Sequence, residues 1–190
     1  MLTSDLAPSL LVAMDQVLDP NFRRTVVLML HHAEDEGGLG LVLNRATDVS
    51  VASLCHTVDL AWSGDEESLV DWGGPVQPDH GWVLFEEGAL DGDVLGGPET
   101  ETVTGGFSFS RSQNVLRQVS EDPPRRVRVF LGYAGWGPGQ LEREIAEGAW
   151  LVVPPSKELV FETDREELWA AALRSLGIEP ATLVSSQGVN

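Results

Sequence analysis

Two apolar runs set back to back across a polar turn place the strongest limit on how this chain can fold. Thr25–Leu30 (TVVLML) and Leu39–Leu43 (LGLVL) flank His31–Gly38, which ends in Glu-Asp-Glu-Gly-Gly. Unbroken apolar, β-branched runs suit strands covered on both faces. A connection this short joins antiparallel neighbours, because parallel strands need a much longer crossover. An all-parallel, doubly wound sheet is thereby disfavoured. Further strands are predicted at Ser9–Met14, Leu69–Trp72, Trp82–Glu86, Val127–Leu131, Trp150–Val153 and Leu159–Phe161, with Phe107 and Phe109 alternating with serines in another.

Helices are interspersed among these strands without a regular repeat. Asp19-Pro20 opens a short helical turn through Arg24. Ser50 caps a helix to Val58 that buries Val51, Leu54 and Val58. Ser110 and Gln113 form a capping-box pattern ahead of Val115, Leu116 and Val119, and Asp122-Pro123-Pro124 ends that helix. Pro138 to Glu147 is a third helix. Asp164 and Glu167 form a second capping box, opening a helix that buries Leu168, Ala172, Leu173 and Leu176 and stops at Gly177. Residues 87–106, rich in Gly and acid, read as a surface loop holding one short strand. The fold class is therefore α+β: a single domain over 1–190, with a mixed sheet or partly closed barrel flanked by helices.

Charge narrows the function classes. Thirty acidic residues face twelve basic ones, a formal net charge of −18. Such a surface repels phosphate backbones and anionic lipid, which argues against direct nucleic-acid binding. The best basic stripe is Arg125, Arg126 and Arg128, and their spacing suggests that Arg126 and Arg128 decorate an exposed strand edge. Lys157 is the only lysine and Cys55 the only cysteine, so no disulfide forms within the chain. No apolar stretch is long enough to span a membrane, and the first residues lack the basic start of a secretory leader. A reducing cytoplasm is the expected location.

No catalytic or metal-binding constellation is complete. His31 and His32 should point to opposite faces of a strand, His56 follows Cys55 on a helix, and His80 sits beside Asp79. None pairs at metal-ligand spacing. Gly106-Phe107-Ser108-Phe109-Ser110 fails the nucleophile-elbow pattern at its last position. Asp91 and Asp93 begin like a calcium loop, but Leu95 and Thr102 end the likeness. The segment Val127–Trp150 carries a strand into Gly132, Gly135, Gly137 and Gly139 and then a helix, the setting in which backbone amides cradle phosphate. Gln140 stands where the dinucleotide pattern needs glycine, and Pro138-Gly139 stand where a P-loop needs Lys and Ser or Thr. A tight turn with Tyr133 and Trp136 packed on the core is the plain alternative to a ligand surface. No catalytic residue, metal or cofactor is assigned.

Beyond local chemistry, the chain resembles the YqgE/AlgH family of bacterial proteins from about Leu10 to about Ser186. The matching elements are Asp19-Pro20-x-Phe22-x-Arg24-Thr25-Val26, His32, Gly40–Arg45 (GLVLNR), Gly73-Gly74-Pro75-Val76 and Leu131–Glu142 (LGYAGWGPGQLE), with Trp150 beyond. Asp15 and Ala46 stand where the family often has proline. The resemblance implies a bifurcated sheet with a small barrel, surrounded by helices. It brings no established activity or cofactor, and some members are named for a regulatory role in alginate gene expression. The expected function is thus a non-enzymatic regulatory or protein-interaction domain, acting through a protein partner. The alternative is a small-molecule-binding protein or an enzyme, with a cleft built from Asn44, Arg45, Gly73, Gly74, Tyr133, Trp136 and Gln140. Arg45 would be its anion contact and His32 or His80 its acid or base.

Overall fold

In the computed structural model, which describes residues 6–184, ten strands make one continuous sheet. They are β1 (Ser9–Ala13), β2 (Val26–Ala33), β3 (Gly37–Val42), β4 (Ala46–Ser50), β5 (Leu69–Trp72), β6 (Val76–Glu86), β7 (Thr100–Val103), β8 (Phe107–Ser110), β9 (Val127–Trp136) and β10 (Trp150–Val153). The helices are α1 (Val51–Thr57), α2 (Gly92–Leu95), α3 (Gln113–Glu121), α4 (Gln140–Ala146), α5 (Arg165–Ser175) and α6 (Pro180–Val184). The spatial order is β10-β1-β2-β3-β9-β6-β8-β7, with β4 on β5 and β5 on β9. Every pairing is antiparallel except β5 with β9. The sheet curls into a half-barrel flanked by helices, the α+β architecture expected. Residues 1–5, part of the N-terminal stretch read as lacking a leader's basic start, and the end of the family match, Ser185 and Ser186, lie outside the described residues.

β9 is the branch point. Its first half lies between β6 and β5, and its last residues, Ala134–Trp136, pair with β3 instead. The glycine-rich stretch read as a turn is therefore strand as far as Trp136, and only 137–139 turn before α4. Gly132 sits at φ 74, where the chain crosses the Gly73–Gly74 backbone so closely that a Cβ on Gly74 (φ 152) would overlap the Tyr133 carbonyl. A residue with a side chain fits neither the conformation nor the space.

One core cluster joins Leu10, Leu28, Leu41, Trp82, Phe107 and Phe130 to Leu168, Trp169, Ala172 and Leu173 of α5. On the other side of β1–β3, Leu11, Val27, Met29 and Val42 pack with Trp136, Leu141 and Trp150. This alternation along β1 and β2 is what a strand covered on both faces requires.

Several local readings change. Leu159–Phe161 is a π-helical turn (Glu158–Glu162) and not a strand. Ser156 starts it by accepting from Leu159 N–H, and Thr163 closes it on the Glu158 carbonyl. α1 is capped by Ser50 as expected, but it buries Val51 and Cys55, leaving Val58 exposed. The cap of α3 is Ser112; Ser110 belongs to β8 and accepts from Ser112 N–H. Asp164 caps α5 with its carbonyl, not its carboxylate, and Leu176 is exposed beyond the helix end. Among the described residues no helix is long and apolar enough to cross a membrane.

Candidate functional site

The seven residues expected to share one cleft fall into four places. Gly73 and Gly74 are buried against the backbone of Gly132–Ala134, so they fill space where the strands cross and line no opening. Tyr133 and Trp136 occupy opposite faces of the sheet. Tyr133 meets Trp82 edge-on with centroids 5.9 Å apart, whereas Trp136 packs on Phe22 and Trp150. Gln140 goes with Trp136, and both converge on Glu144. Its carboxylate accepts from the indoles of Trp136 (3.0 Å) and Trp150 (2.8 Å) and from the Gln140 amide (2.8 Å). Gln140 also accepts from Gly137 N–H. Saturated in this way, the group is a staple that holds α4 on the sheet. The single cleft is corrected by the geometry, because side chains three residues apart on one strand point to opposite faces.

Asn44 and Arg45 are different. Asn44 is buried at the end of β3, where its Oδ1 accepts from Val26 N–H (2.9 Å) and its Nδ2 donates to the Arg24 carbonyl (2.8 Å). It clamps the preceding loop, in which Asp19 caps Asn21 and Thr25 hydroxyl turns back on the Phe22 carbonyl. Arg24 is held there at φ 52, a left-handed conformation unusual for a residue with a side chain. Arg45 donates to the carbonyls of Asn44 (3.3 Å) and Arg23 (2.5 Å). Its guanidinium is therefore positioned by neutral backbone and makes no ion pair among the described residues.

This clamp presents Arg23, Arg24 and Arg45 along one wall of a groove of about 1340 Å³; α5 forms the other wall and brings Arg165 and Arg174. Five of the twelve basic residues thus line one feature of a chain carrying −18. Arg24 lies 5.0 Å from the Trp169 ring centre and only distantly from Asp15, at 3.7 Å. Arg174 is 3.8 Å from Glu179, and Arg23 makes no ion pair among the described residues. Asp164, Glu166 and Glu167 lie on the α5 side. Among the described lining residues there is no hydroxyl, thiol, imidazole or amine side chain. The groove offers forked donors for carboxylate or phosphate oxygens.

The remaining sequence candidates lie apart. His31 and His32 do point to opposite faces: His31 pairs with Glu101 at 2.8 Å, and His32, nearly fully buried, accepts from Leu6 N–H. His32 Nε2 stands 2.7 Å from Glu142 Oε1, but the approach is too bent for a regular hydrogen bond. His80 meets only its neighbour Asp79, at 3.1 Å. Among the described residues no group of three His, Cys, Asp or Glu side chains could hold a metal ion. The basic stripe is consumed internally: Arg125 and Arg126 pair with Glu162, and Arg126 also with Glu86. Arg128 does not decorate an edge. β9 is interior, and Arg128 is partly buried, paired with the buried Asp71. Asp71 was the missed signal, a lone carboxylate inside the apolar run Leu69–Trp72.

Comparison with known proteins supports the same family throughout. A family model described as AlgH-like matches residues 10–181. A UPF0301 protein of Myxococcus xanthus is 41% identical over 187 residues, covering 98% of this chain and 99% of its own length. One from Ralstonia nicotianae is 41% identical over 188 residues, covering 97% and 95%. The solution structure of the AlgH protein from Pseudomonas aeruginosa superposes with a TM-score of 0.76 at 32% identity, over 100% of this chain and 98% of that one. A Corynebacterium diphtheriae crystal structure shares the fold with a TM-score of 0.70 at 23% identity, over 93% and 88%.

Proposed function

The chain belongs to the AlgH-like family, and from that premise we propose that it is a non-enzymatic regulatory or protein-interaction domain that receives an acidic segment of a protein partner in the arginine groove. The observation that carries this reading is the placement of Arg23, Arg24 and Arg45. A buried asparagine and backbone carbonyls fix this loop and the Arg45 guanidinium, while Arg24 lies over Trp169 with Asp15 at 3.7 Å. Guanidiniums gathered with so few close carboxylates suit the recognition of an incoming carboxylate. The charge argument bears on the partner's class. A polyanion such as nucleic acid extends beyond the groove onto a surface of the same sign, whereas a short acidic segment stays within it.

The test is a crosslinking pull-down from native cytoplasm with the wild-type chain and with an Arg23→Glu/Arg45→Glu double variant. A partner held by the wild type and lost by the charge reversal is expected, with release by salt. Equal recovery by both proteins, or no partner even after crosslinking, would overturn the proposal. Binding of DNA at low salt that survives the double variant would move the function elsewhere on the surface.

A further inference from the structure

A second opening, away from the groove's arginine wall, has its own charge problem. Asp71 of β5 is buried, with its side chain 2% exposed, and two guanidiniums share it. Arg128 approaches in a fork, Nε to Oδ2 and NH2 to Oδ1, both at 2.9 Å. Arg165, the first residue of α5, donates Nε to Oδ1 at 2.6 Å. Arg128 is largely engaged, since NH1 and NH2 also donate to the carbonyls of Val160 and Leu43. Arg165 is not: beyond Asp71 it reaches only the Leu69 carbonyl, at 3.4 Å. One carboxylate offsets one of the two cations, so a positive charge remains at this spot, carried by donors of Arg165. The Arg165 side chain is 37% exposed, so its outer donors are solvated and remain open to an incoming anion.

Arg165 lines a cleft of about 600 Å³, within the size range of small-molecule sites. Apolar surface is supplied by Trp62, Leu69, Pro123, Pro124 and Phe161, set among polar and charged side chains. Leu69 is 39% exposed, among the more exposed large apolar side chains of the chain. The outer lining is acidic, with Asp65, Glu67 and Asp164, while Glu162 is already engaged by Arg125 and Arg126. A ligand fitting all three zones has one negative charge, a flat apolar body and no second anionic group to meet the rim.

We propose that this cleft binds a small monocarboxylate with an aromatic or similarly flat apolar body, its carboxylate paired to Arg165. Asp164 and Arg165 line the groove as well as this cleft, so the two readings share a wall and are separated by the Arg45 variant. The ¹⁵N-labelled full chain would be titrated with indole-3-acetate and phenylacetate, with phenylacetamide as the neutral match and ATP as the polyanion. Shifts confined to residues 62–71, 123–129 and 161–165 are expected, with the amide binding about 10-fold more weakly or worse, as loss of a charged hydrogen bond implies. Arg165→Gln should weaken the acids by about the same factor, and Arg45→Ala should leave them unchanged. Asp71 keeps the Arg128 fork in Arg165→Gln, so the pair stays balanced. Should that variant nevertheless fail to fold, Arg165→Lys, which keeps the charge and loses the fork, should bind several-fold more weakly. Absence of shifts at about 5 mM, well above the Kd a useful site would show, overturns the proposal. So does equal binding of acid and amide, or tighter binding of ATP, or an Arg165 variant that binds like the wild type. Loss in Arg45→Ala with shifts at 20–24 would assign the acid to the groove instead.

Discussion

Replacing Asn44 by alanine tests the clamp on which the groove depends. The change removes two hydrogen bonds at once, leaving Val26 N–H without its acceptor and the Arg24 carbonyl without its donor. Val26 is fully buried, so its amide gains no water in exchange, while the exposed Arg24 leaves its carbonyl able to recover some. At ~1–3 kcal/mol for each buried group left unpaired, the total should be about 2–3 kcal/mol. Unfolding entropy for a chain of this size is about 0.4 kcal/mol/K, so the melting temperature should fall by about 6 °C. Asn44→Asp keeps the acceptor for Val26 but turns a buried carboxylate oxygen toward the Arg24 carbonyl, and should cost at least as much as the alanine change, about 2–3 kcal/mol or more. Urea and thermal unfolding of both variants, with hydrogen exchange at the Val26 amide, measure these quantities. Arg24→Gly provides the control: relieving the left-handed backbone returns about 1 kcal/mol, and losing the Trp169 contact takes back a similar amount. Its stability should therefore match the wild type while the groove loses a cation. If Asn44→Ala melts within a degree of the wild type with Val26 exchange unchanged, the loop is held by something else and the groove's arginines are not fixed as argued.

Other expectations follow from the same structure. Gly74→Ala places a Cβ on the Tyr133 carbonyl and should cost more than about 4 kcal/mol, whereas Gly139→Ala, at φ 65 with nothing within 4 Å, should cost only about 1 kcal/mol; urea midpoints that rank the two the other way would refute the strand-crossing account. Burial pushes the Cys55 thiol above its ordinary value, so a thiol reagent such as DTNB should leave the native chain unlabelled at neutral pH and react once urea unfolds it. The hydrogen bond from Lys157, helped by the charge of Arg126, holds Glu86 below the ordinary carboxylate range. Its contribution is present above the unfolded value, about 4.3, and is lost as pH falls through the lowered native one. Urea unfolding at pH 6 and below pH 4 should show the wild type losing its advantage over Glu86→Gln on acidification, and a constant difference would sink the linkage.

The sequence conveyed elements better than it conveyed which faces they cover. The β2–β3 hairpin, the Ser50 cap and the stop at Gly177 rest on local chemistry, and all are present. β9 was truncated because glycine usually marks a turn. Here Gly132 permits two backbones to cross within a strand, and that demand comes from residues 73–74, distant in sequence. Arg128 was misplaced for a related reason. Alternation tells which residues share a face, but whether that face is open depends on β5 pairing parallel to β9, which no local pattern encodes. Asn44 looked like a turn former and is a clamp across two strands, legible only once Val26 and Arg24 lie opposite it. The family resemblance carried the overall architecture, and its most specific stretch, around Tyr133 and Trp136, proves to hold the sheet together.

Where the scarce cations go is the clearest guide to what this molecule contacts. Arg125, Arg126 and Lys157 are tied to Glu86 and Glu162, and Arg128 is committed to Asp71. Among the described residues, Arg23 and Arg45 of the groove wall, Arg111 over Trp82 and the outer edge of Arg165 are left without a close carboxylate of their own, and Arg24 has only Asp15, at 3.7 Å. On a chain of −18, an approaching anion is repelled at distances beyond a Debye length, about 10 Å at 0.1 M salt, and attracted only close to these few side chains. That combination penalises each charge a ligand carries outside the local site. It selects for a small number of negative groups at the right spacing over a large total charge. Under the proposed reading, the acidic excess is then part of the recognition: it makes the arginines answer to short, compact anions and to little else.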